Sequence, residues 1–278
     1  MNVLEAVVLG AIEGVTEFLP ISSTGHLTVA EELLGFDIDA DDITAFTAII
    51  QVGAIAAVVI YFWNDIRGIL TGLARGIGNR EARQTRDFRY GLAVAVGSIP
   101  IGIVGLALKD VIEGPLRNLW VVAAALILWS IPMRIADRSA TEERGEEDFD
   151  MRDAIAMGLM QCIALVPGVS RSGATLTAGL LRGLDRVTVT RMSFFLAIPA
   201  LSAAGALEAV TKASEISAGV GWGPTLIALV VSFFVAYASV AWLLRYVAGH
   251  DFSIFIGYRI LLGLTVIVLI ASGAVAAT

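Results

Sequence analysis

The 278-residue sequence predicts an all-α polytopic membrane protein: six transmembrane helices plus two re-entrant helical hairpins in an inverted repeat. Three observations predict it. Hydrophobic residues make up 57% of the chain and charged ones 16%, where a soluble domain carries about a quarter charged. Mean hydropathy is +0.80, and several apolar runs reach the roughly 20 residues that a bilayer crossing requires. Two polar islands, 13–26 and 167–175, interrupt apolar stretches, and each contains a proline.

The chain reads as a single membrane domain, 1–278, in two halves of about 1–140 and 151–278. Residues 1–12 are apolar but too short to span, and Glu13, Glu17 and Pro20 follow at once. A helix over 3–19 is therefore expected to dip into the bilayer with its carboxylates at the deep end. Pro20 breaks it, and a second short helix over 25–34 leads back out to Gly35. Segment 1–35 thus reads as a re-entrant hairpin, an irregularity tolerated at depth only inside protein or beside a wet cavity. Spans follow at 43–63, 90–108 and 119–135. Segment 151–184, apolar but broken at Pro167-Gly168, reads as the second re-entrant hairpin, before spans at 187–210, 223–246 and 252–271. Pro100, Pro132 and Pro199 are expected to kink or end their helices. Trp63, Trp120, Trp222 and Trp242 fall near span ends, where interfacial anchoring is the rule. Glu208 reads as solvated near the outer end of its span, and the acidic run 142–150 as a solvated cytoplasmic loop.

Loop charge sets the orientation. The loop after the first span carries Arg67, Arg75, Arg80, Arg83, Arg86 and Arg89, and further arginines follow the third span, flank the fourth and close the fifth. The opposite loops carry only Lys109, Arg117 and Lys212. By the positive-inside rule the arginine-rich side is cytoplasmic, so six spans leave both termini outside. The arginine bias, with Lys109 and Lys212 the only lysines, fits either a salt-rich habitat or a GC-rich genome. A net charge of -7 argues against nucleic acid as a partner. Cys162, the single cysteine, excludes an internal disulfide, and residues 1–12 lack the positive flank of a cleavable signal peptide.

A shift of 148 residues lays Glu13 on Gln161, Ile21 on Val169, Ser22 on Ser170, Thr24 on Ser172 and Gly25 on Gly173. Each half is one hairpin plus three spans, and an odd number of crossings inverts the second half relative to the first. The two hairpins then enter from opposite faces and meet near the midplane, where sites at repeat interfaces lie.

Glu13 and Glu17, at i and i+4, share one helix face. An ionisable group at a transmembrane helix centre costs roughly 2.5–3.5 kcal/mol, so two carboxylates, His26 and Arg171 at depth imply a partner or a task. The bland reading is a Glu–Arg pair that holds the hairpins together. Pro20-Ile-Ser-Ser-Thr-Gly25 and Ser170-Arg171-Ser172-Gly173 look like helix starts with hydroxyl caps and free backbone N–H groups. Helix N-termini plus an arginine fork suit a phosphate group, and two carboxylates beside a phosphate suggest a divalent cation such as Mg²⁺. For any single hydroxyl, ordinary capping or helix–helix bonding explains it as well. His26 suits a general acid, a nucleophile or a neutral hydrogen-bonded wall. Ser23 suits a nucleophile activated by Glu17 or His26, unless Glu17 activates water directly. Gln51 either lines the cavity or bonds across helices. A transporter or lipid flippase is the rival class, because inverted repeats and broken helices are also its architecture.

Glu-Gly-Val-Thr-Glu-Phe-Leu-Pro-Ile-Ser-Ser-Thr-Gly-His and Pro-Gly-Val-Ser-Arg-Ser-Gly-Ala-Thr resemble the two signature motifs of the undecaprenyl-diphosphate phosphatase family of the bacitracin-resistance type. The (Glu/Gln)-x-x-x-Glu element matches at Glu13 and Glu17, and the Pro-Gly-x-Ser-Arg-Ser-x-x-Thr element from Pro167 to Thr175. The resemblance runs the full length and includes Gln51-Val-Gly-Ala-Ile. It implies a plasma-membrane enzyme that removes the terminal phosphate of a C55 polyprenyl diphosphate and recycles the lipid carrier for cell-wall synthesis. Carried over by position, Glu17, Ser23, His26 and Arg171 form the implied catalytic core. Ser22, Thr24, Ser170, Ser172, Gly173 and Thr175 bind substrate, while Glu13 with Glu17 holds a divalent cation, Mg²⁺ or Ca²⁺. It also implies an active site open to the outer face, contact with membrane lipids, and a homodimer.

Overall fold

The computed structural model describes residues 1–276. Among these the chain is all helical, with one isolated parallel bridge between Arg144 and Leu184. The first half comprises α1 (Val3–Thr16), α2 (Ser23–Leu33), α3 (Asp41–Tyr61), α4 (Trp63–Gly78), α5 (Arg86–Ala107), α6 (Lys109–Glu113) and α7 (Leu119–Ser139). The second comprises α8 (Met151–Gln161), α9 (Arg171–Leu181), α10 (Arg186–Thr211), α11 (Ala213–Ala218), α12 (Trp222–Val247) and α13 (Ser253–Ala271). Six of them, α3, α5, α7, α10, α12 and α13, are long and apolar enough to cross a membrane. The protein is a multi-pass membrane protein.

The six spans coincide with the apolar runs, but their surroundings differ from expectation. The first part of the arginine-bearing segment after the first span is not a loop. It forms α4, whose Ile66 and Ile69 join the core and whose Ile69 and Leu73 close over Gly91 of α5, while Arg67 and Arg75 stay exposed. Trp63 accordingly starts α4 instead of ending α3. Pro100, Pro132 and Pro199 lie inside α5, α7 and α10 and end none of them. Glu208 is not solvated: it is 8% exposed and held by Lys109 at 3.1 Å and Lys212 at 3.7 Å. The acidic run is likewise more than a solvated loop. Glu146 pairs with Arg86 and with Arg191, and Arg144 reaches the buried Asp153 of α8 at 2.6 Å.

Broken helices pack against spans of the other half. α1 lies on α12, and α8 lies on α5. Small residues bring the backbones together, as is usual where lipid supplies no hydrophobic drive between helices. A Cβ on Gly10 would stand 2.4 Å from the Ala228 carbonyl oxygen, and one on Gly158 would stand 2.0 Å from that of Gly97. α3 packs on α10, and α7 on α13. The core fills the space between these pairs and includes Phe18, Leu19 and Ile21 from the first break.

Candidate active site

The first helix ends earlier than its apolar pattern suggests. The chain leaves α1 after Thr16, with Glu17 as C-cap and 18–21 in a turn, because Pro20 carries no N–H to continue the ladder. Ser22 then takes φ 76°, a left-handed backbone rare outside glycine, and its hydroxyl accepts the Gly25 N–H at 3.3 Å to start α2. The second break repeats this. Ser170 takes φ 75° and its hydroxyl accepts the Gly173 N–H at 3.1 Å to start α9. Gly168, at φ 97°, lies where a Cβ would meet the Val122 carbonyl at 2.5 Å, so no other residue fits there. Ser22 and Ser170 are the pair that the 148-residue shift superposes.

Between the breaks lies a buried polar cluster. Arg171 Nη2 donates to Glu17 Oε1 at 3.2 Å, and its Nη1 donates to the Ser193 carbonyl at 3.0 Å. The Ser23 hydroxyl donates to Glu17 Oε2 at 2.6 Å, and Gln51 Nε2 donates to the same oxygen at 3.2 Å. Gln51 thus bonds across helices, onto the proposed centre. Ser172 Oγ donates across to the Leu19 carbonyl at 2.9 Å and lies 3.0 Å from Ser170 Oγ. Thr175 Oγ1 sits 2.7 Å from Ser193 Oγ. Glu13, one turn before Glu17, is 1% exposed, and its Oε1 has no hydrogen-bond partner among the described residues; neither does the buried Nε of Arg171.

Two expected members stand apart. Thr24 is exposed and offers only its carbonyl, to Thr28 at 2.8 Å, because it lies on the outward side of the first turn of α2. Among the described residues His26 forms hydrogen bonds with neither Glu17 nor Ser23. Its Nδ1 donates to the Ser22 carbonyl at 2.7 Å, which leaves Nε2 to accept the Tyr258 hydroxyl at 2.8 Å. Both rings border an apolar cavity of about 510 Å³, walled by Ile12, Val15, Leu19 and Ile21 on one side and Ile254 and Phe255 on the other. A polar head at the Glu17–Arg171 pair and a greasy chain in this cavity would be neighbours, since Leu19 and Ile21 belong to the break itself.

Residues 6–265 match the family described as bacitracin resistance protein BacA. The chain belongs to that family. It is 60% identical over 278 residues to undecaprenyl-diphosphatase 3 of Frankia casuarinae, covering 100% of both chains. Identity is 52% to the undecaprenyl-diphosphatase of Cutibacterium acnes, with 100% of each chain covered, and 50% to undecaprenyl-diphosphatase 1 of Streptomyces avermitilis, with 98% of each covered.

Three residues of this BacA-family chain escaped the sequence reading. Tyr258 carried no signal beyond being an aromatic in an apolar run. Glu31, 1% exposed and accepting the Thr47 hydroxyl at 2.7 Å, is a buried carboxylate on α2. Arg259 did carry a signal: it is the one charged residue in α13, and such residues within spans are functional candidates by default. It is 0% exposed.

Proposed function

We propose that this protein hydrolyses undecaprenyl diphosphate to the monophosphate and inorganic phosphate, recycling the lipid carrier of cell-envelope glycan synthesis. One observation carries the reading at the level of the site: Arg171 and Ser23, from opposite breaks, converge on the two oxygens of Glu17. The names of its relatives support the same reaction. In it, the diphosphate head binds at the facing starts of α2 and α9, whose first N–H groups have no partner inside their helices. Arg171, whose Nε lacks a partner, takes phosphate oxygens and offsets the charge that develops during transfer. The Ser23 oxygen attacks the terminal phosphorus while its proton passes to Glu17. The bond to the bridging oxygen breaks and polyprenyl monophosphate leaves. Water then releases phosphate from Ser23, which recovers its proton. The 2.6 Å contact favours Ser23 with Glu17 over Ser23 with His26. The isoprenoid chain occupies the apolar cavity beside His26 and Tyr258.

A divalent cation, Mg²⁺ or Ca²⁺, belongs to this reading. The unpartnered Oε1 of Glu13 fits one, since a buried carboxylate oxygen calls for a cation or a proton. No three His, Cys, Asp or Glu side chains converge among the described residues, which suits an ion that takes its other ligands from phosphate and water. Glu13 and Glu17 would hold it, and it would supply positive charge against the phosphates.

The membrane arrangement is part of the proposal. α1–α2 and α8–α9 are re-entrant hairpins of an inverted repeat, with halves 1–140 and 151–278. Support comes from the matching positive-φ serines and from paired contacts: α1 on α12 is answered by α8 on α5. Ion pairs of the arginine-rich side, such as Arg86–Glu146, Arg186–Asp137 and Arg144–Asp153, gather at one end of the bundle, and Lys109–Glu208 and Lys212–Asp41 at the other. With the former cytoplasmic, both termini and the site's opening face outward. The homodimer implied by the family belongs to this picture too.

Purified protein in detergent is expected to release inorganic phosphate from undecaprenyl diphosphate. Arg171→Ala should abolish release in a folded protein, and excess chelator should stop it until Mg²⁺ or Ca²⁺ is returned. A flippase would release nothing in detergent, where there are no sides. Full activity in chelator would remove the cation.

A further inference from the structure

The geometry points to Arg259 as the positioning residue of this site: one guanidinium grips the equivalent carbonyl of both chain breaks and so sets Ser23 and Glu17 against Arg171. The inference rests on the phosphatase reading and adds to it a residue outside both signature motifs.

Arg259 donates from Nη1 to the Pro20 carbonyl at 3.4 Å, and from Nη2 to the Gly168 carbonyl at 2.9 Å and the Ala125 carbonyl at 3.4 Å. Its Nε donates to Ser130 Oγ at 3.3 Å. Every partner is neutral. A fully buried cation without a carboxylate is costly, so its retention calls for work that a neutral side chain cannot do. The identity of the two break carbonyls shows what that work is. Pro20 and Gly168 are separated by the same 148 residues that separate Ser22 from Ser170. Each carbonyl lies two residues before a positive-φ serine, where the broken helix leaves backbone oxygens without intrahelical donors. A planar fork can reach two such carbonyls on different segments at once; an ammonium cannot match that geometry.

The clamp matters most when substrate arrives. Among the described residues two other hydrogen-bonded links cross between the breaks: Glu17–Arg171 and Ser172 to the Leu19 carbonyl. The first opens as Arg171 turns to phosphate, which leaves Arg259 and Ser172 to hold the alignment. Arg259 touches no reacting atom. From the adjacent position on the same helix, Tyr258 reaches His26, so α13 braces both sides of the site.

The test uses the full-length protein in detergent: wild type, Arg259→Gln and Arg259→Lys. Each is assayed for phosphate release, for inhibition by orthovanadate as a mimic of the transferring phosphoryl group, and for thermal unfolding. Displacement of about 1 Å at a site of this kind costs about 100-fold in rate. Arg259→Gln should therefore lower kcat about 100-fold while KM moves by less than about threefold. The Ki for vanadate should rise with the loss in kcat, because a misaligned site loses transition-state binding first. Arg259→Lys, which keeps the charge but not the fork, should remain at least about tenfold slow, and it carries the test if Arg259→Gln does not fold. A structural role alone predicts fewer active molecules with an unchanged Ki, and that result overturns the proposal, as does wild-type kcat in either variant. A wild-type protein that releases no phosphate overturns the phosphatase reading and the clamp's place in it together. An active wild type with equally active variants overturns the clamp alone.

Discussion

Glu17 serves three partners with two oxygens: Arg171 on one, Ser23 and Gln51 on the other. Gln51 comes from α3, so the rotamer of the carboxylate is held by a helix that belongs to neither break. A hydrogen bond to a charged group contributes about 1.5–3 kcal/mol. Gln51→Leu should therefore slow phosphate release by at least about tenfold, since 1.4 kcal/mol is one decade. Steady-state rates at saturating diphosphate check this; an unchanged rate would mean that Ser23 and Arg171 alone orient the carboxylate. The two glutamates and the arginine were readable one by one as costly intramembrane charges. Gln51 was readable only as an ambiguous amide, because its value lies in which oxygen it meets. Of the hydroxyl island only Ser23 bonds into the Glu17 cluster; Ser22 caps its own helix and Thr24 is exposed.

Both breaks run through a serine with left-handed backbone, and both serines cap the helix that follows. Such a conformation costs a non-glycine residue of order 1 kcal/mol, and the cap returns a similar amount. Ser170→Ala and Ser170→Gly both remove the hydroxyl, but only glycine relieves the backbone. The glycine variant should be the more stable by about 1 kcal/mol, read as the difference in unfolding midpoint in detergent. Equal midpoints would show that Ser170 stores no strain. Pro20 and Pro167-Gly168 announced where the helices stop; α1 ends at Thr16 and not at residue 19 because the N–H that Pro20 lacks is the one that would bond the Thr16 carbonyl, and the turn that follows seats Phe18 and Leu19 in the core. The helix α4 was missed because its arginines read as a loop; the packing of Ile69 and Leu73 over Gly91 makes it a helix.

Across the whole molecule, ion pairs tie the second broken helix to the arginine-rich end. Asp153, fully buried near the start of α8, receives Arg144 from the preceding loop and Arg182 from the end of α9. Removing its charge takes from both guanidinium groups the carboxylate that they bind. Asp153→Asn should destabilise the protein by about 3 kcal/mol, the lower end for a broken buried pair because both arginines are partly exposed. Its thermal midpoint should fall while the KM of the surviving enzyme stays unchanged. A variant as stable as wild type would mean that the loop 140–150 packs without this anchor. Glu208 was misread for a related reason: Lys212 is its neighbour four residues on, but Lys109, the nearer cation, lies on a segment that meets it only in the fold.

Apolar length by itself determined the six helices long enough to cross a membrane, because nothing in a bilayer core can replace the hydrogen bonds of an unfolded backbone. Local pattern likewise determined the two polar islands and the breaks inside them. Only the tertiary structure decided that Arg171 meets Glu17 across 154 positions of sequence and that Arg259 meets two carbonyls at once. Carbonyl oxygens are the same at every residue, so no residue type marks which of them a distant arginine will find.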